Sequence, residues 1–380
     1  MKIFIKSLLD LIKFYKIKPK DRKIVFYSEN ETFYSFYDGL IDSLINQFNQ
    51  DIYYVTSSIT DSNLIKQNKK IKSFFIGDQS IRTIFFKLYN SPIMILTMPD
   101  LNTFHIMRSQ HKVNYIYITH NINSLHMVFR KKAFNNYDTF FCVGPHHNVE
   151  IEETEKIYKL KKITKFNFGY SKIDKLLMKN NLNIKNNYAN KILVIAPSWG
   201  NDSIIEKIGD KLLSLLINSD WKIIIRPHPD TIRLSKKKYL QFKNKFNNRA
   251  NCKFEENISN MNSLYESSIM ISDWSGAAFE FAFGLEKPVI FIDMPKKINN
   301  SDFDLYTNEP IEISLRNKIG ELITINKLAS IVTLLNEVFY NRDKYKKRII
   351  SERNKIIYNV GDSASKGADY IFNLIKFNNK

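Results

Sequence analysis

The feature that most limits this chain is a repeat of pattern: a short apolar run, a polar turn, then residues at helical spacing. KIVFYS (23–28), DIYYVTS (51–57), IKSFFIG (71–77), PIMILTM (92–98), NYIYITH (114–120) and TFFCVG (139–144) have strand length and strand composition. Residues 34–48 form the first helical stretch between them. Apolar strands alternating with helices imply a parallel sheet covered on both faces, a Rossmann-like domain. KNNLNIKNNYAN (179–190) is polar, asparagine-rich and linker-like. A second series follows: KILVIAPS (191–198), WKIIIR (221–226), CKFEEN (252–257), SIMISD (268–273) and KPVIFID (287–293). Helices are expected at 204–217 and from Asp230, as N-cap, toward Phe246. From about residue 325 the chain reads as helical.

These boundaries predict an amphipathic helix at 1–20, Rossmann-like domains at 21–180 and 191–345, and closing helices at 346–380. That is the α/β GT-B arrangement, with the cleft between the domains drawn by analogy. A chain of 380 residues is long enough for both cores, and a 44% hydrophobic fraction excludes disorder. Cys142 and Cys252 are too few for a disulfide framework, which points to a reducing compartment.

A net charge of +19 calls for a partner or for plain solvation. Lysines and arginines are spread along the chain, without a zinc finger or RNP motif, so no nucleic-acid partner is expected. A basic binder of nucleic acid or another polyanion remains the reading from a different functional class. The N-terminal MKIFIKSLLDLIKFYKIKPKDRK is interrupted by lysines too often for a signal peptide or a membrane span. Lys2, Lys6, Asp10, Lys13 and Lys16 share one helical face, and Ile3, Ile5, Leu8, Leu9, Ile12 and Tyr15 lie largely elsewhere. Such a helix either lies in an anionic membrane interface or packs on its own domain with the lysines outward.

Chemistry concentrates at the strand ends. In WKIIIRPHPD (221–230) two prolines restrict Arg226 and His228 and fix the direction in which His228 leaves a buried strand. In open α/β sheets that edge binds ligands. A histidine there can donate to a phosphate or exchange a proton, although ending the strand is a sufficient role too. In ISDWSGAAFEFAFGLEKPVIFID (271–293) a strand ends at Ser272–Asp273, and Ser275–Gly276 opens a helix whose N-terminus suits an anion. Glu280, one turn on, is placed to accept from ribose hydroxyls. In the first domain His120 ends NYIYITH at the matching place, and His126 follows as a candidate substrate contact or a plain surface group. His146, His147 and Glu150 have the look of metal ligands, but adjacent histidines diverge, and a loop and helix start is expected instead. Asp302 and Asp304 form an isolated D-x-D, weak support for a metal. No metal or cofactor is called for.

Together VIAPSW (194–199), IIIRPHP (223–229), residues 271–293, FGYSKIDKLL (168–177) and, more loosely, VGDSASKGADYI (360–371) resemble the CDP-glycerol glycerophosphotransferase family of teichoic-acid primases and polymerases, which have the GT-B fold. The likeness runs from about Tyr115 to the C-terminus and is densest between Ile192 and Asp293. It implies an acceptor domain followed by a nucleotide-donor domain, and a cytoplasmic enzyme at the inner membrane face. The partners implied are CDP-glycerol or a similar donor, a glycan or lipid-linked acceptor, and the anionic membrane surface. His120 would be the base and His228 would bind the diphosphate. Ser198, Arg226, Ser272, Asp273, Ser275, Gly276 and Glu280 would contact nucleotide or phosphate, and Asp362 and Ser363 join His126 as candidate substrate contacts. CMP would leave.

The chain departs from the family pattern at three places. Thr119-His120-Asn121 stands for a tryptophan-histidine-glycine triplet, Ser275-Gly276 for paired serines, and Tyr170-Ser171 for a proline-arginine pair. These changes bear on the transferred group more than on the fold. A GT-B glycosyltransferase using a nucleotide sugar for capsule, lipopolysaccharide or teichoic acid is the alternative. The 2-epimerases of nucleotide sugars share the shape, but no second acidic constellation suits their elimination chemistry.

Overall fold

The structure, a computed structural model, describes residues 2–377 except 67, 104–105, 183–189 and 259. Among them the first domain's strands are β1 (Ile24–Ser28), β2 (Ile52–Thr56), β3 (Ile71–Phe75), β4 (Ile93–Leu96), β5 (Asn114–Ile118), β6 (Thr139–Cys142) and β7 (Thr164–Asn167). They form one parallel sheet in the order β3-β2-β1-β4-β5-β6-β7. The second domain has β8 (Ile192–Ile195), β9 (Lys222–Ile225), β10 (Cys252–Phe254), β11 (Ile269–Ser272), β12 (Val289–Ile292) and β13 (Gly320–Ile323). Its parallel order is β10-β9-β8-β11-β12-β13. The order reverses between β1 and β4 and between β8 and β11, the crevices where open α/β sheets take ligands.

Every apolar run named above contains a strand. The two strands missed, β7 and β13, are short and partly polar (TKFN and GELI). Both lie at a sheet edge, where one flank needs no continuous apolar surface. The expected helix at 204–217 breaks at Ile208 into Ile204–Lys207 and Gly209–Leu216. The basic helix likewise splits into Pro229–Leu234 and Lys236–Phe246, and its N-cap is His228 rather than Asp230. Asp230 sits inside the first turn and pairs with Arg233 at 2.7 Å. Of the expected linker, residues 179–182 are the end of the Ser171–Leu182 helix, and 183–189 lie outside the described residues.

Helices help to bind the domains together. The Ser171–Leu182 helix packs on the Ala277–Leu285 helix, so Tyr170, Ile173 and Leu176 share a buried cluster with Ala278, Phe279 and Phe283. This approach needs Gly284: a Cβ there would lie 2.6 Å from Leu176 Cδ1 and 2.7 Å from Leu176 Cβ. The chain then crosses back. Ala368, Ile371 and Ile375 of the final helix, Ser363–Phe377, bury against Leu40, Phe141 and Phe168 of the first domain. That return is the closing helix of the GT-B arrangement.

The N-terminal helix, Lys2–Lys16, takes the second of its two expected placements, on its own domain with the lysines outward. It packs on its own domain by a narrow stripe of Ser7, Asp10, Leu11 and Phe14. Asp10, from the expected charged face, is buried and accepts the Phe75 N–H of edge strand β3 at 3.2 Å. What remains outward is apolar as well as basic: Ile3, Phe4, Ile5, Leu8, Leu9 and Ile12 are all exposed. No described helix is long and apolar enough to cross a membrane.

Candidate active site

The second domain brings four strand ends to one edge. After β9, His228 caps the Pro229–Leu234 helix: its Nδ1 accepts the Asp230 N–H at 3.1 Å. An acceptor Nδ1 leaves the proton of a neutral imidazole on Nε2, as a donor. Burial pushes the His228 pKa down to about 4, opposed by Asp230 and aided by the cation of Lys297. His228 is therefore an uncharged hydrogen-bond donor at neutral pH.

Lys297, beyond β12, was missed in the sequence, and so was Trp199, beyond β8. The Lys297 ammonium stands 3.7 Å from the centre of the Trp199 ring and donates to Trp199 O at 2.8 Å. The Trp199 ring in turn lies 6.1 Å from that of His228. The available signal was position alone: a lysine-rich segment just past the end of β12 reaches the same edge as RPHP.

Several expected phosphate ligands brace the loops instead. Arg226 is buried, and its guanidinium donates to Glu255 (2.7 Å), Ser263 Oγ (2.8 Å), Asn260 O (2.6 Å) and Ile258 O (3.0 Å). It holds the segment after β10. Ser272 Oγ donates to Ala196 O. The Asp273 carboxylate accepts the backbone N–H groups of Ser198 (2.6 Å) and Ile204 (3.1 Å), which shapes the turn after β8. Burial raises the Asp273 pKa against those hydrogen bonds. Ser198, Ser272 and Asp273 thus form the frame on which Trp199 and Ser275–Gly276 are mounted.

In the first domain, His120 follows β5 among the rings of Phe33, Phe36 and Phe129 at 5.6, 6.1 and 5.6 Å. Its Nδ1 bonds Thr97 O at 3.1 Å. A carbonyl only accepts, so the proton sits on Nδ1 and Nε2 keeps its lone pair as a base. Burial lowers the His120 pKa, with Thr97 opposing, and Lys172 and Glu280 act in opposite directions. The loop after His120 reaches the second domain directly: Asn121 and Asn123 abut Gly276 at the start of the Ala277–Leu285 helix. Strand order sets His228 farther along the same edge, past β8.

Glu280 is engaged from the first domain, by Tyr170 OH at 2.8 Å and Lys172 at 2.7 Å. It is an interdomain tie, not a free ribose acceptor. His126 is no surface contact. It is buried between Phe303 (5.5 Å) and Tyr306 (4.9 Å), with Glu150 at 3.5 Å. Around it the 294–315 segment grips the first domain, through Asn299 N to Met127 O, Ser124 N to Glu312 and Ile311 N to Ser124 Oγ. Ser363 is buried, accepts the Tyr170 N–H and donates to Asn359 O. Asp362 is exposed near Lys366. Both belong to the start of the final helix rather than to the cleft. His146 and His147 open a helix at Pro145, as expected, and hold the carbonyls of Ile122 and Asn123. Asp302 accepts from Tyr158 OH, and no cluster among the described residues suits a metal ion.

The sequence profile of the CDP-glycerol:poly(glycerophosphate) glycerophosphotransferase family matches residues 11–373. This chain belongs to that family. The Bacillus subtilis (strain 168) minor teichoic acid biosynthesis protein GgaB is 24% identical over 230 residues, 52% of this chain. The match covers 23% of GgaB, so the chain spans about a quarter of that relative. A variant of the wall teichoic acid polymerase TagF superposes with a TM-score of 0.59 at 15% identity, covering 99% of this chain and 98% of its own. A TagF variant soaked with CDPG gives 0.60 at 14% identity, over 100% and 99%. A putative UDP-N-acetylglucosamine 2-epimerase from Listeria monocytogenes gives 0.60 at 13% identity, over 94% and 97%. At such identities these likenesses establish the fold, which is GT-B.

Proposed function

We propose that this chain transfers glycerol phosphate, or a related polyol or sugar phosphate, from a CDP-activated donor to a hydroxyl of a cell-surface glycan or lipid-linked acceptor. The observation that carries the reading is the histidine pair. His120 has its proton fixed on Nδ1 and a basic Nε2, and His228 has its proton fixed on Nε2 as a donor. The acceptor hydroxyl gives its proton to His120 Nε2 while its oxygen bonds to the phosphorus that carries the glycerol. The bond from that phosphorus to the bridging oxygen breaks, and CMP leaves with the electron pair. His228 Nε2–H, Lys297 and the N-terminal turn at Ser275–Gly276 meet the charge that develops on the phosphates.

The N-terminal helix supports a place on the inner face of the membrane, where a lipid-linked acceptor is held. Its exposed apolar stripe runs beside Lys2, Lys6, Lys13 and Lys16, which suits an anionic lipid surface.

Thermal unfolding with CDP-glycerol, CDP-ribitol, CMP and UDP- and GDP-sugars tests the donor. At a hundredfold excess over Kd a true donor adds about 2.7 kcal/mol, roughly 5 °C in midpoint. Stabilisation by UDP-sugars alone, with none from CDP or CMP species, overturns the donor assignment and favours glycosyl transfer.

A further inference from the structure

We propose that Asn123 is part of the donor-phosphate site: the first domain supplies its carboxamide to complete an anion cradle at the start of the Ala277–Leu285 helix. This rests on the transferase reading above. Asn123 is 2% exposed, and its Oδ1 is buried without a hydrogen-bond partner. Buried amide oxygens are nearly always paired, because an unpaired one costs about 1–3 kcal/mol. The carboxamide is aimed at the helix start. A Cβ on Gly276 would stand 2.9 Å from Asn123 Oδ1 and 3.8 Å from its Cγ.

At this helix start the N–H groups of Ala277, Ala278 and Phe279 turn to Ser275 Oγ, Ser275 O and Gly276 O, so what it offers an anion is the positive end of the helix dipole. The Asn123 oxygen lies against that positive end. Turned half a rotation about Cβ–Cγ, the same group offers an N–H to a phosphate oxygen seated there.

The loop that carries Asn123 is pinned from below. His147 Nδ1 accepts the Val143 N–H at 3.2 Å, so its Nε2–H donates to Asn123 O at 3.0 Å. His146 Nε2 holds Ile122 O at 2.9 Å. Burial keeps both histidines neutral by lowering their pKa values. Domain contact does not need the Asn123 side chain, because Ser124 makes the bonds to Ile311 and Glu312. Asn121, beside the base His120, approaches the same Gly276 position, its Cβ at 3.7 Å. Base and phosphate contact therefore ride on one loop, and each domain supplies part of the cradle.

The test measures kcat and KM for CDP-glycerol, with the thermal midpoint of the free protein, in wild type and four variants. Asn123→Ala removes a hydrogen bond to a charged group and should cost roughly 10- to 100-fold in kcat/KM. Asn123→Asp keeps the shape but removes the N–H donor and adds a negative charge, and should lower kcat/KM further by repelling phosphate. Gly276→Ser should lower kcat/KM by meeting Asn123. The double variant Asn123→Ala/Gly276→Ser should recover part of the loss, since a hydroxyl then fills the vacated space. Wild-type kcat/KM in Asn123→Ala, or an Asp variant as active as wild type, overturns the inference and leaves the donor reading intact. A wild-type protein that neither binds nor turns over CDP-glycerol overturns the donor reading, and this inference with it.

Discussion

Arg226→Met separates a brace from a ligand. The Arg226 guanidinium is buried with Glu255 and donates to two backbone carbonyls and Ser263. Methionine fills much of the same volume but leaves the Glu255 carboxylate buried and unpaired. Removing one partner of a buried pair costs about 3–5 kcal/mol. For a domain of this size each kcal/mol moves the midpoint by roughly 2–4 °C, so a fall on the order of 10 °C is expected. Calorimetric unfolding reads the fall, and KM for CDP-glycerol is measured well below the midpoint. Replacing both partners, Arg226→Met/Glu255→Met, removes the stranded charge and should recover most of the loss. KM should stay within about threefold of wild type. A midpoint unchanged by Arg226→Met together with a lost donor affinity would refute the reasoning and put the guanidinium in the cleft.

Other outcomes follow from the same geometry. With a His228 pKa of about 4, depressed chiefly by burial, the imidazole stays neutral as pH falls through its ordinary value of 6.5. Donor affinity should then be flat from about pH 5.5 to 8 as far as His228 is concerned. Lys297→Met removes a neighbouring cation, so His228 should titrate at higher pH by NMR; an unchanged or lower value contradicts the placement. Gly284→Ala drives a methyl into Leu176 and should cost about 1–3 kcal/mol in thermal unfolding, with Leu176→Ala restoring part. Ile5→Ser/Leu9→Ser/Ile12→Ser should abolish sedimentation with anionic vesicles while kcat on a soluble acceptor persists; undiminished sedimentation removes the membrane role from this helix.

The strands were legible because buried parallel strands must be apolar on both faces, and β7 and β13 escaped because edge strands need not be. The positions of His120 and His228 were legible because a residue just past a buried strand has few places to go. What a sequence cannot display is the direction of a side chain at such a point. Arg226 and His228 share one strand end, yet one turns toward Glu255, 29 residues on, and the other toward Trp199. Glu280 and His126 were misplaced for the same reason: Tyr170, Lys172, Phe303 and Tyr306 reach them from distant parts of the chain. Asp362 and Ser363 were misplaced because their helix docks on the first sheet, 193 residues from its partner Tyr170.

The most direct measurement is CMP release from CDP-glycerol in the presence of a hydroxyl acceptor, comparing wild type with His120→Ala. Loss of a general base should lower kcat by about 10²–10⁴-fold, with the donor-induced rise in thermal midpoint kept. Undiminished CMP release by His120→Ala would contradict the assignment of His120 Nε2 as the base on which this account turns.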